Sequence, residues 1–163
     1  MLKKLINALP KRWLVALYKH TPFQGFKNTI VAWTQPKYVV AVLGVITNDQ
    51  GQVLLLNHRY RTKQPWGIPG GFLELEQPEI GFKREIEEET GLMVRIRLAR
   101  ALFGTKPTRI DLIYRGEVLR GTFRPNEEIA EIRFCTPGEW PDGMPGHQKQ
   151  LILDVIANPS REV

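Results

Sequence analysis

Two spacings of apolar residues divide this chain. From Lys37 to Thr47 (KYVVAVLGVIT) and from Gln52 to Arg61 (QVLLLNHRYR) apolar residues run almost unbroken, which predicts two buried strands. The NDQG between them (48–51) reads as a turn, so the two strands form a hairpin. Over 77–90 (QPEIGFKREIEEET) the spacing lengthens. Phe82 and Ile86 stand four apart, Pro78 suits a first helical turn, and Gly91 suits a stop, so a helix is expected. Gly81 inside it costs about 1 kcal/mol relative to alanine, which points to close packing or to a constraint from a nearby site. Strands are expected again at 92–105 and 109–121, the second alternating outward and inward. The stretch 62–71 (TKQPWGIPGG) reads as a Pro- and Gly-rich loop, 125–136 as a loop feeding a short strand, 137–150 as irregular, and 148–158 as a closing helix. Helices interrupting a mostly β chain imply an α/β fold with a central mixed β-sheet covered on two faces.

The first 36 residues follow a different pattern. Pro10, Pro22 and Pro36 break them into short helices and a loop, and Leu2, Leu5, Ile6, Leu9, Trp13, Leu14 and Leu17 form a helix-spaced apolar stripe. Residues 1–48 carry seven basic side chains and no Asp or Glu, so the net charge of +6 belongs to this segment. We read 1–36 as a basic helical extension that packs on the domain or on a second copy, as in a homodimer. Residues 37–163 form the domain proper. Contact of the basic segment with RNA or an anionic membrane is the less favoured alternative.

Other features narrow the class. A chain of 163 residues suffices for one domain with a substantial core. The single cysteine, Cys135, excludes an internal disulfide and fits a reducing compartment. No apolar run is long enough to cross a bilayer, and the start lacks the pattern of a secretory signal, so a cytoplasmic location is expected.

The candidate chemistry lies in REIEEETGL (84–92). Glutamates crowd the C-terminal end of the predicted helix, where the dipole favours cations and like charges repel. Glu85, Glu88 and Glu89 fall at i, i+3 and i+4 and share one face, whereas Glu87 points away. A hard divalent cation between the carboxylates would relieve the repulsion. Arg84, four before Glu88, can hold a carboxylate in place. The PGG turn (69–71) can bring bare backbone close to the same ion.

The longer run GGFLELEQPEIGFKREIEEETGL (70–92) resembles a Nudix box. In that motif a glycine is followed after five residues by a glutamate, and after seven more by Arg-Glu-aliphatic-any-Glu-Glu-any-Gly-aliphatic. Gly70, Glu76, Arg84, Glu85, Ile86, Glu88, Glu89, Gly91 and Leu92 fall in register. On these residues the chain is similar to the MutT-like Nudix hydrolases. The resemblance implies an α/β/α sandwich and an enzyme using Mg²⁺ or Mn²⁺ to hydrolyse a nucleoside diphosphate linked to another moiety. It implies Glu85, Glu88 and Glu89 as metal ligands, aided by the carbonyl of Gly70. Glu85 or an acid from a later loop would orient the attacking water, Arg84 would position a carboxylate, and Glu76 would support the site. For the later acid NEEIAEIRF offers Glu128 first, as a catalytic group, and Glu131 second, as a metal ligand. One departure stands out: the Glu74-Leu75-Glu76 turn is a residue shorter than usual and lacks a glycine.

Substrate signals are sparser. Pro107 lies fifteen residues after the box, as in members that cleave ADP-ribose, and Thr108 replaces the tyrosine of those that cleave diadenosine polyphosphates. This favours ADP-ribose or a nucleotide sugar. Arg59 and Arg61, with His58, either meet phosphates or form an exposed strand face, and Trp66 either stacks on a base or caps the core. The alternatives are hydrolysis of NTPs or of 5′-triphosphate or capped RNA, and a non-catalytic nucleotide-sensing domain.

Overall fold

The computed structural model describes residues 35–105 and 108–158, together with Pro10, Arg12, Trp13, Asn28 and Trp33. The chain divides into two compact units, Met1–Lys37 and Tyr38–Val163, and the account below is of the second. The apolar stripe expected in the first unit lies outside the described residues, Trp13 apart.

The second unit begins with β1 (Val39–Thr47) and β2 (Val53–His58), followed by two short strands, β3 (Trp66–Gly67) and β4 (Gly70–Phe72). Helix α1 (Pro78–Thr90) comes next, then β5 (Leu92–Thr105), β6 (Thr108–Gly121) and β7 (Ile129–Cys135), and α2 (Gly146–Ala157) closes it. All seven strands join one sheet in the order β3-β2-β1-β6-β5, with β4 also paired to β1 and β7 to β2. The pairing of β1 with β6 is parallel and the others are antiparallel, so the sheet is mixed.

Both faces of the central strands are covered, which accounts for their nearly continuous apolar composition. Successive residues of a strand point to opposite faces. Val42, Ile46, Leu54 and Leu56 therefore pack with Phe82 and Ile86 of α1, while Val45, Val53 and Leu55 pack with Ile152 and Val155 of α2. The result is an α/β/α sandwich of the kind the box resemblance implies.

Three local expectations need correction. The second strand stops at His58 rather than running to Arg61, because the chain turns back: His58 N–H donates to the Pro65 carbonyl and Arg61 N–H to that of His58. The expected loop 62–71 contains β3 and the start of β4, strands of two and three residues that carry no periodicity of their own. Strand β6 does not alternate simply, since the neighbours Ile113 and Tyr114 are both buried, one in each core cluster. It lies between β1 and β5 and is covered on both faces there.

Candidate active site

The site is built on the last two turns of α1. Gly91 ends the helix with φ of 70°, a left-handed value, and its N–H donates to the Glu87 carbonyl. No basic residue occupies the last turn, so other groups must meet the negative helix end. The Thr90 hydroxyl donates to the Ile86 carbonyl at 2.5 Å. The side-chain amide of Asn126, on the loop before β7, donates to the carbonyls of both Glu88 (3.1 Å) and Glu89 (3.2 Å).

The box carboxylates divide by burial. Glu89 is 7% exposed and accepts the Gly70 N–H at 3.0 Å. Burial pushes its carboxyl up to about 8 against the pull of that hydrogen bond, and the charges of Glu85 and Glu128 push the same way. Glu85 is half-buried, and burial raises its pKa against the pull of Arg84. Glu88 turns outward and is 60% exposed. Glu87 is exposed, as expected.

Arg84 connects the rest. Its Nη2 lies 2.8 Å from Glu76 Oε1 and 3.0 Å from Glu85 Oε1, and its Nη1 lies 3.0 Å from Glu88 Oε2. Its Nε donates to Glu76 as well, at 3.1 Å. The hydrogen bond with Glu76, more than any other contact, raises the guanidinium pKa. Glu76 thus reaches Arg84 in spite of the shortened turn before it. Gly81 leaves room for this contact, since a Cβ there would come within 3.0 Å of Glu76 Oε1 and 2.6 Å of Leu73 Cδ1.

Space bears on both glycines of the GG pair, against backbone at Gly70 and against a side-chain end at Gly71. Gly70 has φ of 136°, and a Cβ on it would collide with the Val42 carbonyl. A Cβ on Gly71 would collide with the Glu85 carboxylate.

These groups border a cleft of about 900 Å³, large enough for a nucleotide-sized ligand. Glu85, Glu89 and Glu128 line it, with Gly70 and Gly71 beside them and Arg61 adding a positive charge. Farther along the same cleft are Phe72, which is 60% exposed, and the ion-paired Arg109 and Asp111 of β6. The Arg109 guanidinium lies 5.9 Å from the centre of the Phe72 ring.

The donor set suits a hard cation: clustered carboxylate oxygens with main-chain groups beside them. Among the described residues, however, no three acidic, His or Cys side chains are drawn together into a finished cation cage. Arg84 takes up the charge of Glu85 and Glu88, and the Gly70 amide takes up Glu89.

Several residues singled out from the sequence lie elsewhere. Trp66 is 5% exposed in the core on the α2 side, with Arg133 stacked 4.6 Å from its ring centre, so it caps the core and has no free face for a base. Glu131 lies on β7 outside the cleft and pairs with Arg133 at 2.9 Å. Arg59 does not face the cleft either: its Nε donates to the Asn126 carbonyl and its N–H to that of Glu128, both at 2.8 Å. His58 is 1% exposed, not part of an open strand face, and burial lowers its imidazole to about 4. Pro107 lies outside the described residues. Sequence reasoning missed Asn126, Phe72, Arg109 and Asp111. Of these only Asn126 carried a local signal, since a Pro-Asn pair before acidic residues favours a side-chain-stabilised turn.

Comparison with known proteins places this geometry. The chain is 31% identical to a "MutT-like protein" of Streptomyces ambofaciens over 127 residues, 77% of this chain and 81% of that one. It is 28% identical to an "ADP-ribose pyrophosphatase" of Methanocaldococcus jannaschii over 124 residues, covering 72% of each. A solved NUDIX hydrolase from Nitrosomonas europaea superposes with a TM-score of 0.65 at 24% identity, covering 77% of this chain and 74% of that one, which is a likeness of fold. The NUDIX domain model matches residues 37–155, and the chain belongs to that family as one of its pyrophosphohydrolases.

Proposed function

We propose that the chain hydrolyses the pyrophosphate bond of a nucleoside diphosphate linked to another moiety, ADP-ribose or a nucleotide sugar, with Mg²⁺ or Mn²⁺. The observation that carries this reading is the meeting of Glu85, Glu89, Glu128 and Arg61 in one cleft of nucleotide size. The pyrophosphatase relative from M. jannaschii favours ADP-ribose within that class.

Glu85, Glu88 and Glu89 would hold the metal, with the Gly70 carbonyl. When bound, the ion neutralises phosphate charge and makes water a usable nucleophile near neutral pH. The residues of the chain supply position and proton transfer. Arg84 keeps Glu85 and Glu88 apart and oriented. The Glu128 carboxylate has no ion-pair or hydrogen-bond partner among the described residues and is the group available to take a proton from water. Arg61 meets a phosphate oxygen at the cleft wall. For ADP-ribose, water attacks one phosphorus, the bridging P–O bond breaks, and AMP and ribose 5-phosphate leave.

A substrate panel with Mg²⁺ and Mn²⁺ tests this, comprising ADP-ribose, nucleotide sugars, NTPs, dinucleoside polyphosphates and 5′-triphosphate RNA. We expect metal-dependent AMP release from ADP-ribose, abolished in Glu88→Gln and Glu89→Gln with the fold intact. Full activity in both variants would overturn the ligand assignment.

A further inference from the structure

Asn126 touches two parts of the site that are far apart in the chain. Its amide nitrogen donates to the main-chain carbonyls of Glu88 and Glu89, 38 and 37 residues earlier. Its amide oxygen accepts the N–H of Glu128 at 3.0 Å and of Ile129 at 2.7 Å. Its own N–H donates to the Ile129 carbonyl at 3.0 Å, and its carbonyl accepts from Arg59 Nε. A single side chain therefore has its donors on the helix that bears Glu85, Glu88 and Glu89 and its acceptor on the loop that bears Glu128.

We propose that Asn126 is a positioning residue. It ties the C-terminal end of α1 to the Glu128 loop and so fixes the spacing between the helix carboxylates and Glu128. This rests on the pyrophosphohydrolase reading of the site. The physical reasons are twofold. Carbonyls at a helix end without a partner draw in water or fray, and the two that Asn126 meets belong to site glutamates. A loop carboxylate with no side-chain partner has no direction of its own, and the anchored N–H groups of Glu128 and Ile129 provide it. Arg59 holds the same loop from the turn just after β2, through its guanidinium to Asn126 and its N–H to the Glu128 carbonyl. A helix cap alone would require only the donor half of the amide, and a turn alone only the acceptor half. Asn126 uses both.

The test is a double-mutant cycle on kcat with Asn126→Ala and Glu128→Gln, read alongside amide exchange. We expect Asn126→Ala to lower kcat roughly 10-fold or more, as loss of an outer support does, with KM little changed. In the Glu128→Gln background the same change should cost almost nothing further, because the carboxylate it serves is gone. An equal loss in both backgrounds would mean a general structural role and overturn the proposal. Asn126→Asp separates the two halves: it keeps the acceptor and replaces the donor. The Glu128 and Ile129 amides should exchange faster in Asn126→Ala and stay protected in Asn126→Asp, while both variants lose activity. Full activity in Asn126→Asp would show that the helix half is idle and refute the tether. A native chain that turns over no pyrophosphate substrate would refute the proposed function instead. The exchange rates would still decide the tether, since unchanged protection in Asn126→Ala rules it out.

Discussion

At the scale of single residues, Glu89 differs most from the residue its sequence position suggests. On a helix wheel it is one of three equivalent carboxylates. In the fold it is the buried one, held by the Gly70 N–H and carrying a pKa near 8 in place of the ordinary 4.5. The unfolded chain releases this proton near 4.5, whereas the folded chain keeps it until about 8. The contribution to stability is therefore full below the lower value and is lost as pH rises through the upper one. Glu89→Gln mimics the protonated form and can still accept from Gly70. Without divalent ions, the melting temperature of the variant should gain on that of the native chain as pH rises from about 5 to about 9. A difference independent of pH would show that Glu89 is ionised in the fold throughout. Trp66 gives the opposite lesson: nothing in a Pro- and Gly-rich stretch indicates which way an indole faces. Since it packs in the core on the α2 side, Trp66→Ala should cost about 3–5 kcal/mol, measured by urea denaturation. KM should stay unchanged in the protein that remains folded.

At the scale of elements, α1 shows how much the sequence discloses and where it stops. Its span, its inward stripe of Phe82 and Ile86, its proline start and its glycine end were all legible, and the structure runs from Pro78 to Thr90. Strands β5 and β6 were legible too, being long runs paired along nearly their whole length. The short strands β3 and β4 were not, because two or three residues hold no period and their pairing is decided by β2 and β1. Within the site, Arg84 and the box glutamates were legible because a helix converts spacing into a shared face. Asn126 was not, since only the folded chain brings it to the helix end. Gly81 lies between these cases. Alanine there would gain about 1 kcal/mol of helix propensity, yet its Cβ would press on Leu73 and on the Glu76 carboxylate that Arg84 holds. Both neighbours are flexible side-chain ends. Gly81→Ala should therefore melt close to the native temperature while kcat falls, as steady-state kinetics would show.

At the scale of the whole molecule, the carboxylates sit on one helix and one loop, and the cleft is completed by β4 and β6. Affinity for the ion and for the diphosphate should therefore be linked. A non-hydrolysable ADP-ribose analogue at 100 times its Kd should stabilise the fold by about 2.7 kcal/mol. The shift in melting temperature should appear with Mg²⁺ and disappear with a chelator. An equal shift without the ion would place the analogue's binding energy elsewhere in the cleft.

The parallel pairing of β1 with β6 bears on how the chain is made. Val39 to Thr47 lie against Arg109 to Glu117, some seventy positions later in synthesis. While the chain is still growing, β1 has emerged as a nearly all-apolar strand with one side open. That side remains a template for stray pairing until the segment through Glu117 has left the ribosome. The box lies wholly inside this interval, so the helix that bears it is translated before the sheet that carries it can close. A ribosome pausing soon after β1 has emerged would hold the chain with that side still open.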